Sequence, residues 1–60
     1  MNDLHRCHLW IVNDIILTLW DCDKRQPTVE DVKNNWRFHD MNDVSDAEIS
    51  KVINDVSKFY

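Results

Sequence analysis

The sixty residues contain no glycine and a single proline, Pro27. Tight hairpin turns need positive φ, and glycine is the residue that takes it at no steric cost. A sheet protein of this length needs several such turns, so the composition argues against one. Loops that cradle phosphates also rely on glycine for close backbone approach, and they are excluded with it. Strict apolar/polar alternation is missing, as are internal repeats and low-complexity tracts. Long hydrophobic runs are missing too. The most apolar stretch, Leu9 to Trp20, is twelve residues long and is interrupted by Asn13-Asp14. A spanning helix needs about 20 apolar residues, and an Asp at its centre is costly. Residues 3–8 lack the cationic bias of a signal peptide, and no small-residue cleavage site follows. A cytoplasmic chain with no membrane partner is expected.

Cysteine is scarce. Cys7 and Cys22 are fifteen residues apart, or about 22 Å along one helix. A disulfide needs Cα atoms within roughly 7 Å. Both thiols are therefore expected to be free, with Cys7 packing as a small apolar residue and Cys22 closing the first helix. His5 and His8 share one side of a helix, but no CxxC or HExxH spacing accompanies them, so they read as surface histidines and not as a metal site. Cys7 and His8 are sequence neighbours and point about 100° apart on a helix, which is the wrong geometry for a nucleophile and its base. No catalytic residue, metal, cofactor or small-molecule substrate is expected, and sixty residues leave little room for a water-excluding pocket.

A strong excess of basic charge is also lacking. Seven Lys and Arg stand against eleven Asp and Glu, a net charge of −4. Residues 1–22 sum to −2, residues 23–41 to zero and residues 42–60 to −2. Phosphate contacts supply most nucleic-acid affinity and need Lys and Arg, so nucleic acid is not the expected partner. The acids are interleaved with bases, which leaves a carboxylate mimic of nucleic acid as a minor variant.

What is present is helical periodicity in an ordinary globular composition, 43% apolar and 30% charged. A first helix is predicted over 3–21, with Asn2 or Asp3 as N-cap and one wide face of Leu4, Ile11, Val12, Ile15, Ile16 and Leu19. A second is predicted over 28–37. Thr28 caps it, Asp31 makes a weak capping box, and Val29, Val32 and Trp36 line one face. A third is predicted over 46–59. Ser45 and Glu48 form a capping box, Val44 and Ile49 stand at hydrophobic-staple positions, and Ile49, Val52, Ile53, Val56 and Phe59 form an apolar stripe. The fold class is all-α, a compact three-helix bundle in a single domain over 1–60. The predicted core is Leu4, Ile11, Ile15, Leu19, Val29, Val32, Trp36, Ile49, Val52, Ile53 and Val56.

Through Gln26-Pro27-Thr28-Val29-Glu30-Asp31-Val32 and Val44-Ser45-Asp46-Ala47-Glu48-Ile49, the helix order resembles the three-helix core of helix-turn-helix domains. It departs from that pattern in a seven-residue connector, residues 38–44, that lacks glycine, and no wing is expected after Tyr60. The resemblance implies DNA binding through the third helix, with Ser50, Lys51, Asn54, Ser57 and Lys58 facing the groove. The polar face of that helix nevertheless sums to −1, and Glu48–Lys51 and Asp55–Lys58 are spaced as helix pairs on a solvated surface.

The strongest functional signal is apolar. Trp10 and Leu17 fall on the far side of the first helix, between Arg6, Asn13 and Asp14, with Leu9 and Trp20 at the boundary. A helix apolar nearly all round is normally buried all round. Two short helices cover only one broad side of it. A domain of this size also buries only about 60% of its unfolded surface. The expected function is therefore a small protein-binding module, a regulator or inhibitor, with Trp10, Leu17 and Trp20 at its centre and Leu9 and Arg6 at the rim. By analogy, short acidic chains of this kind include regulators made by phages. A homodimer or a stable hetero-complex is expected to cover the patch, and a DNA-binding transcription regulator is the alternative.

Overall fold

Three helices carry the fold in the computed structural model, which describes residues 3–39 and 41–60: α1 (Asp3–Asp23), α2 (Val29–Lys33) and α3 (Asp46–Ser57). The all-α three-helix arrangement expected from the periodicity is what is found, with no strand among the described residues. Asn2, one of the two expected caps of the first helix, lies outside them. At 1.5 Å per residue the 21 residues of α1 span about 31 Å. That helix sets the 33 Å long dimension of the molecule.

α1 runs two residues beyond its expected end, so Cys22 lies inside the helix and does not close it. Termination falls to Lys24, whose φ is 58° and whose N–H donates to the Trp20 carbonyl at 2.8 Å. This is a left-handed helix cap of the kind glycine usually supplies. A chain without glycine places a lysine there instead.

α2 and α3 begin with the same device. Thr28 Oγ1 accepts from the Asp31 N–H at 3.1 Å, and Asp31 Oδ2 accepts from the Thr28 N–H at 3.0 Å. Ser45 Oγ accepts from the Glu48 N–H at 3.2 Å, and Glu48 Oε1 accepts from the Ser45 N–H at 3.0 Å. Both are full capping boxes, each satisfying two backbone donors. Pro27 and Val44, just before the caps, are buried, as are Val32 and Ile49 four positions into each helix. That is the staple arrangement, which fixes the direction from which the chain meets the helix.

α2 is far shorter than the predicted 28–37 segment. It stops at Lys33 because Asn34-Asn35 offers the backbone another set of bonds. Asn34 is the C-cap, and Asn35 Oδ1 accepts from the Arg37 N–H at 2.9 Å. The Phe38 N–H donates to the Asn35 carbonyl at 2.9 Å. Asn side chains stabilise such turns at the expense of helix. α3 does not start until Asp46, so the connector is far longer than the three or four residues of a helix-turn-helix turn.

The core is built from Val12, Ile15 and Ile16 of α1, Val32 of α2, and Ile49, Ile53 and Val56 of α3. Met41 and Val44 of the connector complete it. Leu9, Leu17, Leu19, Trp20, Val29, Phe38 and Val52 pack around this nucleus. Three residues expected in the core lie outside it: Leu4 is 60% exposed, Ile11 36% and Trp36 83%. Leu4 stands in the first turn of α1, beyond the cover of two short helices. Trp36 sits on the turn that ends α2 and is carried away from the Val29–Val32 face. Ile11 loses the cover that a longer α2 would have supplied. Cys7 is exposed instead of packed, and both cysteines are free.

Candidate protein-binding face

The outward side of α1 borders an open apolar groove of about 750 Å³. Trp10, Ile11, Asn13, Asp14 and Leu17 of α1 form one wall, and Trp36, Arg37 and His39 from the turn after α2 form the other. Trp10 is 74% exposed, so the two most accessible tryptophans of the chain flank one depression. Wide contiguous exposure of this kind marks interaction sites, and tryptophan is the residue most enriched at their energetic centres.

Arg37 holds the second wall in place. Its Nη1 donates to Asp14 Oδ2 at 2.7 Å and its Nη2 to Thr18 Oγ1 at 3.2 Å. Thr18 Oγ1 in turn donates to the Asp14 carbonyl one helical turn back, at 2.9 Å. The guanidinium fork thus spans two α1 side chains one turn apart, a geometry that a lysine cannot copy. It presents a charged rim beside an apolar floor.

The residues expected to bind a partner are presented to different degrees. Trp10 is fully presented. Leu17 and Leu9 are half-buried and show one edge each, Leu17 to the main groove and Leu9 to a smaller hollow shared with Trp10, Val52 and Asp55. Trp20 is set apart, because its ring stacks on Tyr60 with centroids 4.7 Å apart and planes at 21°. Arg6 is exposed, one turn before Trp10. Trp36 and Arg37 were not expected at a site. Their assignment to a long second helix hid them, and the Asn34-Asn35 pair was the signal that would have released them.

The histidines near the start of α1 are engaged with carboxylates of the connector and of the first turn of α3. His5 Nε2 lies 2.7 Å from Glu48 Oε2, and His8 Nδ1 lies 2.6 Å from Asp43 Oδ1. The i, i+3 spacing that aligns the two rings serves to clasp α1 to the start of α3. No cluster of three or more metal-ligating side chains occurs among the described residues. Glu48 therefore pairs with His5 and not with the expected Lys51. Its carboxyl is held below the usual range, first by the Ser45 backbone N–H, then by the charge and hydrogen bond of His5, against some desolvation. Desolvation is the largest influence on Asp43 and pushes its carboxyl up. The His8 hydrogen bond, its own backbone and the charges of His8 and His5 outweigh this and lower it. Asp31 is lowered chiefly by the Thr28 backbone N–H, with Arg25 at 3.4 Å adding to the effect against desolvation.

On α3, Ser50, Lys51, Asn54 and Lys58 are exposed and Ser57 is half-buried. Ser57 Oγ donates to the Asn54 carbonyl at 2.7 Å, and Lys58 Nζ is 3.9 Å from Asp55. Two of the five candidate DNA-contacting side chains thus have partners on their own helix. Lys33, the cation of α2, lies 3.0 Å from Asp46 at the start of α3. No helix among the described residues is long and apolar enough to cross a membrane. The chain matches no protein-family model, and no curated protein or solved structure is similar to it.

Proposed function

We propose that this chain is a small cytoplasmic protein-binding module, a regulator or inhibitor that acts by occupying a surface of its partner and not by chemistry. The observation that supports the reading is the pair of exposed tryptophans, Trp10 and Trp36, which line one mainly apolar groove. Leaving two indoles in water forgoes burial that a sixty-residue fold can ill spare. Each is worth on the order of 2 kcal/mol or more when covered. The Arg37–Asp14–Thr18 bonds hold the groove open without a partner, which lowers the ordering cost of association.

The test is affinity capture from the cells that make the protein, followed by titration of the purified partner with wild type, Trp10→Ala and Trp36→Ala. Each substitution removes an exposed side chain, so the fold is retained and circular dichroism is unchanged. Loss of at least about thirtyfold in affinity for either variant is expected. Equal binding by all three chains refutes the site.

A further inference from the structure

We infer that the partner is a second copy of this chain, packed antiparallel along α1 about a two-fold axis between Asn13 and Asp14, with Trp10 against the partner's Leu17 and Arg6 against the partner's Asp21. The inference rests on the protein-binding reading above and names its occupant.

The exposed stripe of α1 is symmetric about its own middle. Arg6, Trp10, Asn13, Asp14, Leu17 and Asp21 follow steps of four, three, one, three and four, the same read in either direction, and fall within about 100° of the helix circumference. Arg6, Trp10, Asp14 and Asp21 are exposed, and Asn13 and Leu17 are half-buried. An antiparallel copy centred between residues 13 and 14 sets residue 6 opposite 21, 10 opposite 17, and 13 opposite 14. Every pairing is complementary. The outer positions oppose a cation and an anion at both ends. The next positions oppose two apolar side chains. At the axis, the Asn13 amide meets the partner's Asp14 carboxylate, and the symmetric contact repeats it.

The charges point to this register for a second reason. Among the described residues, the side chains of Arg6 and Asp21 make no ion pair or hydrogen bond within their own chain. Asp14, Asp23, Asp31, Asp43, Asp46 and Glu48 all contact a cation or a histidine. The two free charges of the stripe stand four residues outside its two apolar anchors. A parallel copy puts Arg6 on Arg6 and Asp21 on Asp21, and like-charge contacts oppose it. A standard interface takes about 800 Å² from each partner. That is about a fifth of the 4337 Å² surface of this chain. The α1 stripe is about 22 Å long, and the groove walls at Trp36 and Arg37 add to the surface it offers.

The experiment is sedimentation equilibrium of the full chain between about 1 and 200 μM, with charge exchange as the probe. Wild type is expected to sediment at twice its 7.2 kDa chain mass. Arg6→Asp and Asp21→Arg each place like charges together at both ends, and each is expected to weaken dimerisation about tenfold. The double variant Arg6→Asp/Asp21→Arg restores both pairs and is expected to return to within about threefold of wild type. Both positions are exposed, and circular dichroism confirms that each variant is folded. A dimer lost in Trp10→Ala but indifferent to the charge exchange overturns the register and leaves the protein-binding reading standing. A wild-type monomer throughout the range overturns the inference, and the capture experiment then decides that reading separately.

Discussion

Ser45→Ala removes the acceptor that caps α3 and half of its capping box. Ser45 Oγ takes the Glu48 N–H at 3.2 Å, a bond that alanine cannot supply. Glu48 still accepts from the Ser45 backbone N–H at 3.0 Å and still reaches His5 at 2.7 Å, so only one of the four orphan donors at this terminus loses its partner. Removing a Ser cap costs about 1 kcal/mol. For a domain of sixty residues that is a fall in melting temperature of about 5 °C. The Glu48→Ala variant loses more, because it breaks the box and the α1–α3 clasp together. The double variant is expected to fall short of the sum of the singles by about 0.5 kcal/mol, since the two residues share one network. Thermal melts followed by circular dichroism at 222 nm measure all three. A Ser45→Ala melt within about 1 °C of wild type refutes the reasoning, because α3 is then not held by this cap.

Ile49→Ala opens a cavity at a fully buried site and is expected to cost about 2–5 kcal/mol. Total stability at this length is about 3–9 kcal/mol, so that variant is largely unfolded in chemical denaturation, whereas Leu4→Ala, at an exposed site, stays within about 0.5 kcal/mol of wild type. Lys24→Gly relieves the left-handed cap and is expected to raise the denaturation midpoint by up to about 1 kcal/mol equivalent, and a drop shows that the positive φ carries no cost. The carboxyls of Asp31, Asp43 and Glu48 are all held below their ordinary values. Their stabilising contribution is complete above the usual carboxylate range and lost as pH falls through the lowered folded values, so stability is expected to fall below about pH 4. A urea midpoint that stays constant from pH 6 to pH 2 contradicts this.

Helix starts were legible because they depend on short-range chemistry. Thr28 with Asp31, and Ser45 with Glu48, are recognisable as boxes before any tertiary contact is known, and both boxes form. The central turns of α1 and the Ile49–Ile53–Val56 stripe were legible for the same reason, since a 3.6-residue period is a local property. Met41 and Val44 were not, or only in part, because core positions drawn from an irregular connector carry no period. Trp10 was legible as a surface residue from its place on the helical wheel. Trp20 was read at the same patch, but its burial depends on Tyr60, forty residues away in sequence, and no local pattern announces a ring stack of that kind.

The misplacement of Trp36 and the existence of the groove have a single cause. Were α2 to continue to Arg37, Trp36 would follow Val29 and Val32 along the inward face and cover Ile11, and no second wall would exist. Asn34 and Asn35 instead turn the chain after five helical residues. The turn carries Trp36 outward and sends Arg37 back across α1 to Asp14 and Thr18. The same turn that shortens the helix therefore uncovers Ile11, raises an aromatic wall opposite Trp10 and locks that wall at a fixed distance. A few residues further on, Met41 enters the core and Phe38 packs against it. In a chain this small, a Trp shifted from core to rim gives up burial that few other residues can replace. A surface that covers Trp10 and Trp36 returns that burial on association, so assembly and stability are expected to be coupled through this corner.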